Sequence, residues 1–175
     1  MNIYWHKLKE NAKIPNKRAE DAGYDIYSVD EHDILLMPHE KRLFPTGLAA
    51  AADPGYWLLA YDRGSTGSKG IHTHCGIIDN GYRGEIFICL CNDNDYPVKF
   101  THNVDRYSKA EADFYYIDDR EVCGEIAYYP LSKAIAQIIV MPQIKSASIE
   151  MADEDSWQLM CKTERGDGKL GASGK

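Results

Sequence analysis

The sequence predicts an all-β protein. Short apolar runs alternate with Gly, Pro, Asn and Asp punctuation, helical periodicity is nearly absent, and stretches such as Tyr24-Asp25-Ile26-Tyr27 alternate with a period of two. The 175 residues suit one domain with a real core. Hydrophobic residues make up 44% and charged residues 27%, the balance of an ordinary soluble globule. A formal net charge of -7 opposes nucleic-acid wrapping and anionic membranes, so neither is expected as a direct partner. An anionic ligand then requires a local cluster of Arg, Lys, backbone N–H groups and a metal ion.

Residues 134–141 are the most apolar run, far too short to span a bilayer and interrupted by Gln137. Residues 1–7 carry no signal-peptide apolar region. Cys75, Cys89, Cys91, Cys123 and Cys161 are odd in number and form no Cys-x-x-Cys pair, which reads as reduced thiols in a cytoplasmic protein.

Taken in order, residues 3–8 read as a first strand. Residues 24–28 read as a second, with Asp25 on the face opposite Tyr24. Asp25 there is either a solvating edge-strand acid or a ligand group. Residues 34–37 and 41–48 read as further strands closed by Pro and Gly, and Pro54-Gly55 opens another over residues 56–61. Residues 62–70 then place three glycines, three hydroxyl residues, Arg63 and Lys69 in nine positions. Such a segment is either a flexible polar loop or a phosphate cradle, in which small residues admit a backbone close to the ligand and Arg63 supplies charge-assisted bonds.

The stretch Gly76-Ile77-Ile78-Asp79-Asn80-Gly81-Tyr82-Arg83-Gly84-Glu85-Ile86 holds the strongest local signal. Asn-Gly between apolar runs predicts a β-hairpin, with Asp79 just before the turn and Tyr82 just after it. That pair is either ordinary hairpin surface or a base and a platform for a small ligand. Residues 86–91 read as a buried strand. Residues 103–129 read as two extra strands around a charged turn, exposing several tyrosines and packing on their own sheet. Residues 134–140 read as a central strand whose Gln137 needs partners or a ligand. Residues 150–157 read as an acidic loop, and the glycine-rich end as a disordered tail.

Five polar segments in this order resemble the trimeric deoxyuridine triphosphatase (dUTPase) family: Ala22-Gly23-Tyr24-Asp25, Arg63-Gly64-Ser65-Thr66, Gly76-Ile77-Ile78-Asp79 through Tyr82-Arg83-Gly84-Glu85, Ile135-Ala136-Gln137, and Arg165-Gly166-Asp167-Gly168 through Gly174. The third is highly specific; the second and fourth are weak alone. The resemblance implies a jelly-roll-like dUTPase fold of the β-clip type over residues 1–160, with an insertion at about 103–129. Residues 161–175 would be an arm closing over a neighbouring subunit's site in a homotrimer. The implied activity is dUTP diphosphatase: dUTP and water give dUMP and pyrophosphate, limiting uracil in DNA and supplying dUMP for thymidylate synthesis.

The resemblance also implies roles. Asp79 activates the attacking water, and Mg²⁺, held mainly by substrate phosphates, has one of its waters held by Asp25. Tyr82 lies under the deoxyribose and rejects a 2′-hydroxyl. Backbone around His74, Gly76 and Ile78 reads the uracil edge. Arg63, Gly64, Ser65, Thr66, Gln137, Arg165, Gly171 and Ser173 hold the triphosphate, and Leu170 covers the base. Family members carry Ser where this chain has Gly64, a small residue at His74, Arg at Ala134 and Phe at Leu170. Three other readings share the fold or the site. A dCTP deaminase needs a carboxylate on the strand after the turn, where residues 86–91 have none. The others are a hydrolase of a different deoxynucleotide and a regulatory homologue that binds a protein partner through the inserted region.

Overall fold

The computed structural model describes residues 1–160 and 162. By compactness the chain divides into Met1–Gln143 and Ile144–Lys175. The first unit holds thirteen strands. In chain order they are β1 (Ile3–Lys7), β2 (Tyr24–Ile26), β3 (Ile34–Leu36), β4 (Lys41–Pro45), β5 (Leu48–Ala52), β6 (Tyr56–Tyr61), β7 (Ile71–His74), β8 (Ile77–Ile78), β9 (Phe87–Asn92), β10 (Val98–Thr101), β11 (Ser108–Ile117), β12 (Arg120–Pro130) and β13 (Ala136–Pro142). A four-residue helical turn, α1 (Gly64–Gly67), lies between β6 and β7. The all-β expectation is met.

Four sheets share the work: β1-β5, β11-β12-β10-β3, β2-β13-β6-β8 and β4-β9-β7. Their apolar faces close on one core. Phe44, Phe100 and Tyr129 form its aromatic centre, with ring centroids 4.8 Å and 5.3 Å apart, inside a shell that includes Ile26, Leu36, Ile88 and Ile138. Asn92 is fully buried and satisfied: its amide nitrogen donates to the carbonyls of Leu36, Met37 and Tyr96 at 2.9–3.1 Å. A buried amide without those partners costs free energy, so this network locks three chain segments together.

Three details differ from the sequence expectations. Asn80-Gly81 does form a turn, with Tyr82 N–H donating to the Asp79 carbonyl at 3.0 Å, but it is no β-hairpin. β8 pairs with β6 and β9 pairs with β7 and β4, so the flanking strands enter different sheets. Neither Asn80 nor Gly81 takes a positive φ, the feature that fits Asn-Gly to a hairpin turn. Second, residues 103–129 do not pack on a sheet of their own. β12 pairs in parallel with β10, Val98 facing Ala127, and Ile126, Ala127 and Tyr129 belong to the core. Only the far end, around the left-handed residues Asp118 and Asp119, stands out as an exposed ribbon.

Third, residues 154–157 of the second unit, expected as loop, are helical. There α2 (Glu154–Met160) starts on Asp153, whose carboxylate accepts from Ser156 N–H at 3.0 Å, and Glu154 and Asp155 favour the positive end of the helix dipole. No described helix is long and apolar enough to cross a membrane.

Candidate active site

Two clefts gather most of the sequence-predicted residues of the described chain. The larger, about 630 Å³, is lined by Asn16, Lys17, Arg18, Asp21, Ala22, Gly23, Asp25, Arg63, Gly64, Ser65 and Gln137. Strand register builds it. Asp25 on β2 stands opposite Gln137 on β13, and Gln137 stands opposite Tyr61 at the end of β6. Cross-strand partners lie side by side on one face of a sheet. Gly23 is required here, because a Cβ would fall 2.4 Å from Gln137 Oε1. Gln137 Nε2 in turn donates to the Asp62 carbonyl at 2.6 Å, fixing its amide plane.

Arg63 leads into α1 and is held from three sides. Its Nε and Nη2 donate to the two carboxylate oxygens of Asp25 at 2.7 and 3.1 Å, while Nη1 donates to Ser65 Oγ at 3.0 Å and to the Ala134 carbonyl at 3.2 Å. The fork geometry is the strong form of such a pair. Thr66 is buried; its hydroxyl accepts from Arg63 N–H and donates to the Arg63 carbonyl, so it shapes the turn and does not line the cleft. Gly64 is different, since a Cβ there meets nothing within 4 Å. Asn16, Lys17, Arg18 and Asp21 are cleft residues that the sequence reading did not single out. Arg18 holds Asp21 by two guanidinium bonds of 3.0 Å, which keep that carboxyl below the usual carboxylate range. The Lys-Arg pair after Pro15 was the available signal.

The second cleft, about 240 Å³, is lined by Cys75, Ile77, Ile78, Asp79, Tyr82, Glu85, Ile86 and Phe87. Apolar and aromatic side chains make up most of its walls, and Asp79 and Glu85 are its two carboxylates. Glu85 is committed to the fold, accepting from Gly47 N–H at 2.8 Å. The Tyr82 hydroxyl donates to the Glu85 carbonyl at 2.8 Å, which fixes the ring across the turn. A Cβ at Gly84 would lie 2.5 Å from that hydroxyl, so a larger residue there would displace the ring from this pose. Arg83 staples the turn from outside through the carbonyls of Asn80 and Tyr82 at 2.5 and 2.8 Å. Among the described residues no hydrogen bond or ion pair engages the Asp79 carboxylate, which is exposed.

His74 and Gly76 line neither cleft. Gly76 accepts from Ala60 N–H at 2.7 Å and approaches β6 so closely that a Cβ would lie 2.2 Å from the Ala60 carbonyl oxygen. His74 ends β7, opposite Cys89. Arg165, Leu170, Gly171 and Ser173 lie outside the described residues.

Comparison with known proteins relates the chain to one family. A sequence model of the dUTPase family matches residues 10–106. A probable deoxyuridine 5'-triphosphate nucleotidohydrolase of Schizosaccharomyces pombe is 38% identical over 104 residues, 57% of this chain and 72% of that protein. The Pol polyprotein of ovine maedi visna related virus is 28% identical over 166 residues, 95% of this chain but only 12% of the polyprotein. Among solved structures, the Staphylococcus bacteriophage 80alpha dUTPase with dUPNHPP superposes with a TM-score of 0.71 at 24% identity over 99% of each chain. The chain belongs to the dUTPase family. The matched stretch contains the Asp25, Arg63 and Asp79 segments and stops before Gln137.

Proposed function

We infer that this chain is a dUTP diphosphatase, converting dUTP and water to dUMP and pyrophosphate. The observation that carries the reading is the contrast between its carboxylates. Asp25 and Asp21 are tied to guanidinium groups, Glu85 to the backbone, and Asp79 alone among the described carboxylates of the two clefts is without a partner, beside an oriented aromatic ring. A free carboxylate next to a ring is suited to hold a water and take its proton. As the water oxygen bonds to the α-phosphorus, the bond from that phosphorus to the bridging oxygen breaks and pyrophosphate departs. A positioned base contributes about 10²–10⁴-fold; the rest comes from alignment and charge neutralisation, as in phosphoryl transfer generally.

Arg63, Ser65 and Gln137 supply donors for the triphosphate, and Lys17 and Arg18 add local cations that offset the chain's negative charge. Tyr82, tied by its hydroxyl, presents a ring face to the sugar and excludes a 2′-hydroxyl. Arg165, Gly171 and Ser173 would complete the phosphate contacts and Leu170 would cover the base. Membership of the dUTPase family supports a homotrimer; the two clefts share no lining residue, and in such an assembly each site would combine one subunit's Asp79 cleft with another's Arg63 cleft. Among the described residues no cluster of three or more His, Cys, Asp or Glu side chains is set to hold a metal. The donor set, one carboxylate already bridged to Arg63, fits a Mg²⁺ ion held mainly by substrate phosphates, with Asp25 taking one of its waters. When bound, that ion supplies charge neutralisation at the phosphates.

Pyrophosphate release measured with dUTP, UTP, dTTP and dCTP tests the reading. Release from dUTP far above the other three is expected. No release from dUTP under saturating Mg²⁺ overturns the enzymatic reading, and equal rates with dUTP and UTP overturn the role of Tyr82.

A further inference from the structure

Arg63 and Ser65 also line a third pocket, of about 250 Å³, that the proposed chemistry does not use. Three chain segments distant in sequence converge on it. Lys69 follows α1, Arg106 precedes β11, and Lys133 lies in the turn between β12 and β13. With Arg63, four of the lining residues are cations and none is acidic. Among the described residues, Lys69, Arg106 and Lys133 form no salt bridge. Lys69 donates to the Ser65 carbonyl and sits over the Tyr107 ring, 5.2 Å from its centroid. Tyr107 and Tyr129 wall the pocket, and the Tyr129 hydroxyl is spent on the Ala134 carbonyl at 2.8 Å.

Gathering unpaired cations is unfavourable unless an anion joins them. The protein as a whole is acidic, with 27 Asp and Glu against 20 Lys and Arg, so this patch is no consequence of composition. The pocket is also small and bounded by loops, whereas an extended polyanion is bound along a basic stripe.

We propose that the pocket formed by Lys69, Arg106, Lys133 and the Tyr107 ring is a binding subsite for pyrophosphate, reached through Arg63 and occupied by the anion as it leaves the main cleft. The identity of the anion rests on the proposed reaction; the basic pocket does not. A small multivalent phosphate matches three cations and the size of the cavity better than a monovalent ion does. Arg63 touches both compartments, so it can hand the anion from one to the other without a gap in charge.

The test is calorimetric titration of inorganic pyrophosphate into the full chain with EDTA present, comparing wild type with the Arg106→Ala/Lys133→Ala double variant and with Lys133→Glu. Both positions are exposed, so folding is preserved. The double variant is expected to bind pyrophosphate about tenfold more weakly, as loss of two exposed charge contacts predicts, and Lys133→Glu more weakly than wild type, with dUMP affinity unchanged in both. Unchanged pyrophosphate affinity, no pyrophosphate binding to wild type, or an equal loss of dUMP affinity each overturns the subsite. Turnover of dUTP, assayed separately, tells failure of the subsite apart from failure of the catalytic reading.

Discussion

Arg63 grips Asp25 through both carboxylate oxygens, at 2.7 and 3.1 Å. A guanidinium has five N–H donors. Asp25 takes one from Nε and one from Nη2, and Nη1 spends its donors on Ser65 and the Ala134 carbonyl. One Nη2 donor is left for a phosphate. Asp25 therefore fixes the orientation of the Arg63 guanidinium, and in the proposed reaction it would set the angle at which Arg63 meets the triphosphate, besides any role toward a metal-bound water.

Asp25→Asn is expected to lower kcat/KM for dUTP by about 10- to 100-fold, because misplacing a phosphate clamp costs alignment. The fold should lose only about 1 kcal/mol, since the pair is partly solvent-exposed. Steady-state pyrophosphate release and thermal denaturation measure the two effects. A variant with wild-type kcat/KM would show that Arg63 holds its pose without Asp25.

Two glycines of the site segments should behave in opposite ways. Gly76→Ala drives a Cβ against the Ala60 carbonyl and should destabilise the chain by about 3 kcal/mol, the upper range for overpacking. Gly64→Ser introduces the residue family members carry into open space and should change stability by no more than about 0.5 kcal/mol. Urea unfolding of both variants distinguishes a glycine needed for packing from one that is dispensable.

The β11–β12 ribbon should tolerate trimming only at its tip. Replacing residues 112–123 with a short turn removes exposed side chains such as Phe114 and Tyr116 and should leave dUTP turnover near normal. Excising residues 103–129 removes Ile126 and Tyr129 from the core; each large buried side chain is worth about 2–5 kcal/mol, against a typical total of about 5–15. Circular dichroism of the longer deletion should show an unfolded chain.

The same ribbon shows where sequence reading stops. Its two strands and charged turn were legible from local alternation, but the parallel pairing of β12 with β10 is a long-range choice that no local pattern encodes. The Asn80-Gly81 turn was legible too, while the departure of β8 and β9 to different sheets was not, for the same reason. β5, Leu48–Ala52, is nearly all alanine, a helix former; pairing with β1, Trp5 opposite Ala50, overrides that preference. Within the site, Asp79 and Tyr82 shared a turn in the sequence and share a cleft in the structure. Asp25, Arg63 and Gln137 lie far apart in sequence, and strand register unites them. Lys17 and Arg18 escaped notice because two cations in a loop look like solvated surface until the loop closes over a cleft.

The most direct test of the account is Asp79→Asn, which keeps the shape of the side chain and removes its capacity to take a proton. The prediction is that pyrophosphate release from dUTP falls by about 10²-fold or more, while the variant still binds a non-hydrolysable dUTP analogue within about threefold of wild type, because Asp79 acts on water and holds no phosphate. A variant that turns over dUTP at more than about a tenth of the wild-type rate would contradict the assignment of Asp79 as the base.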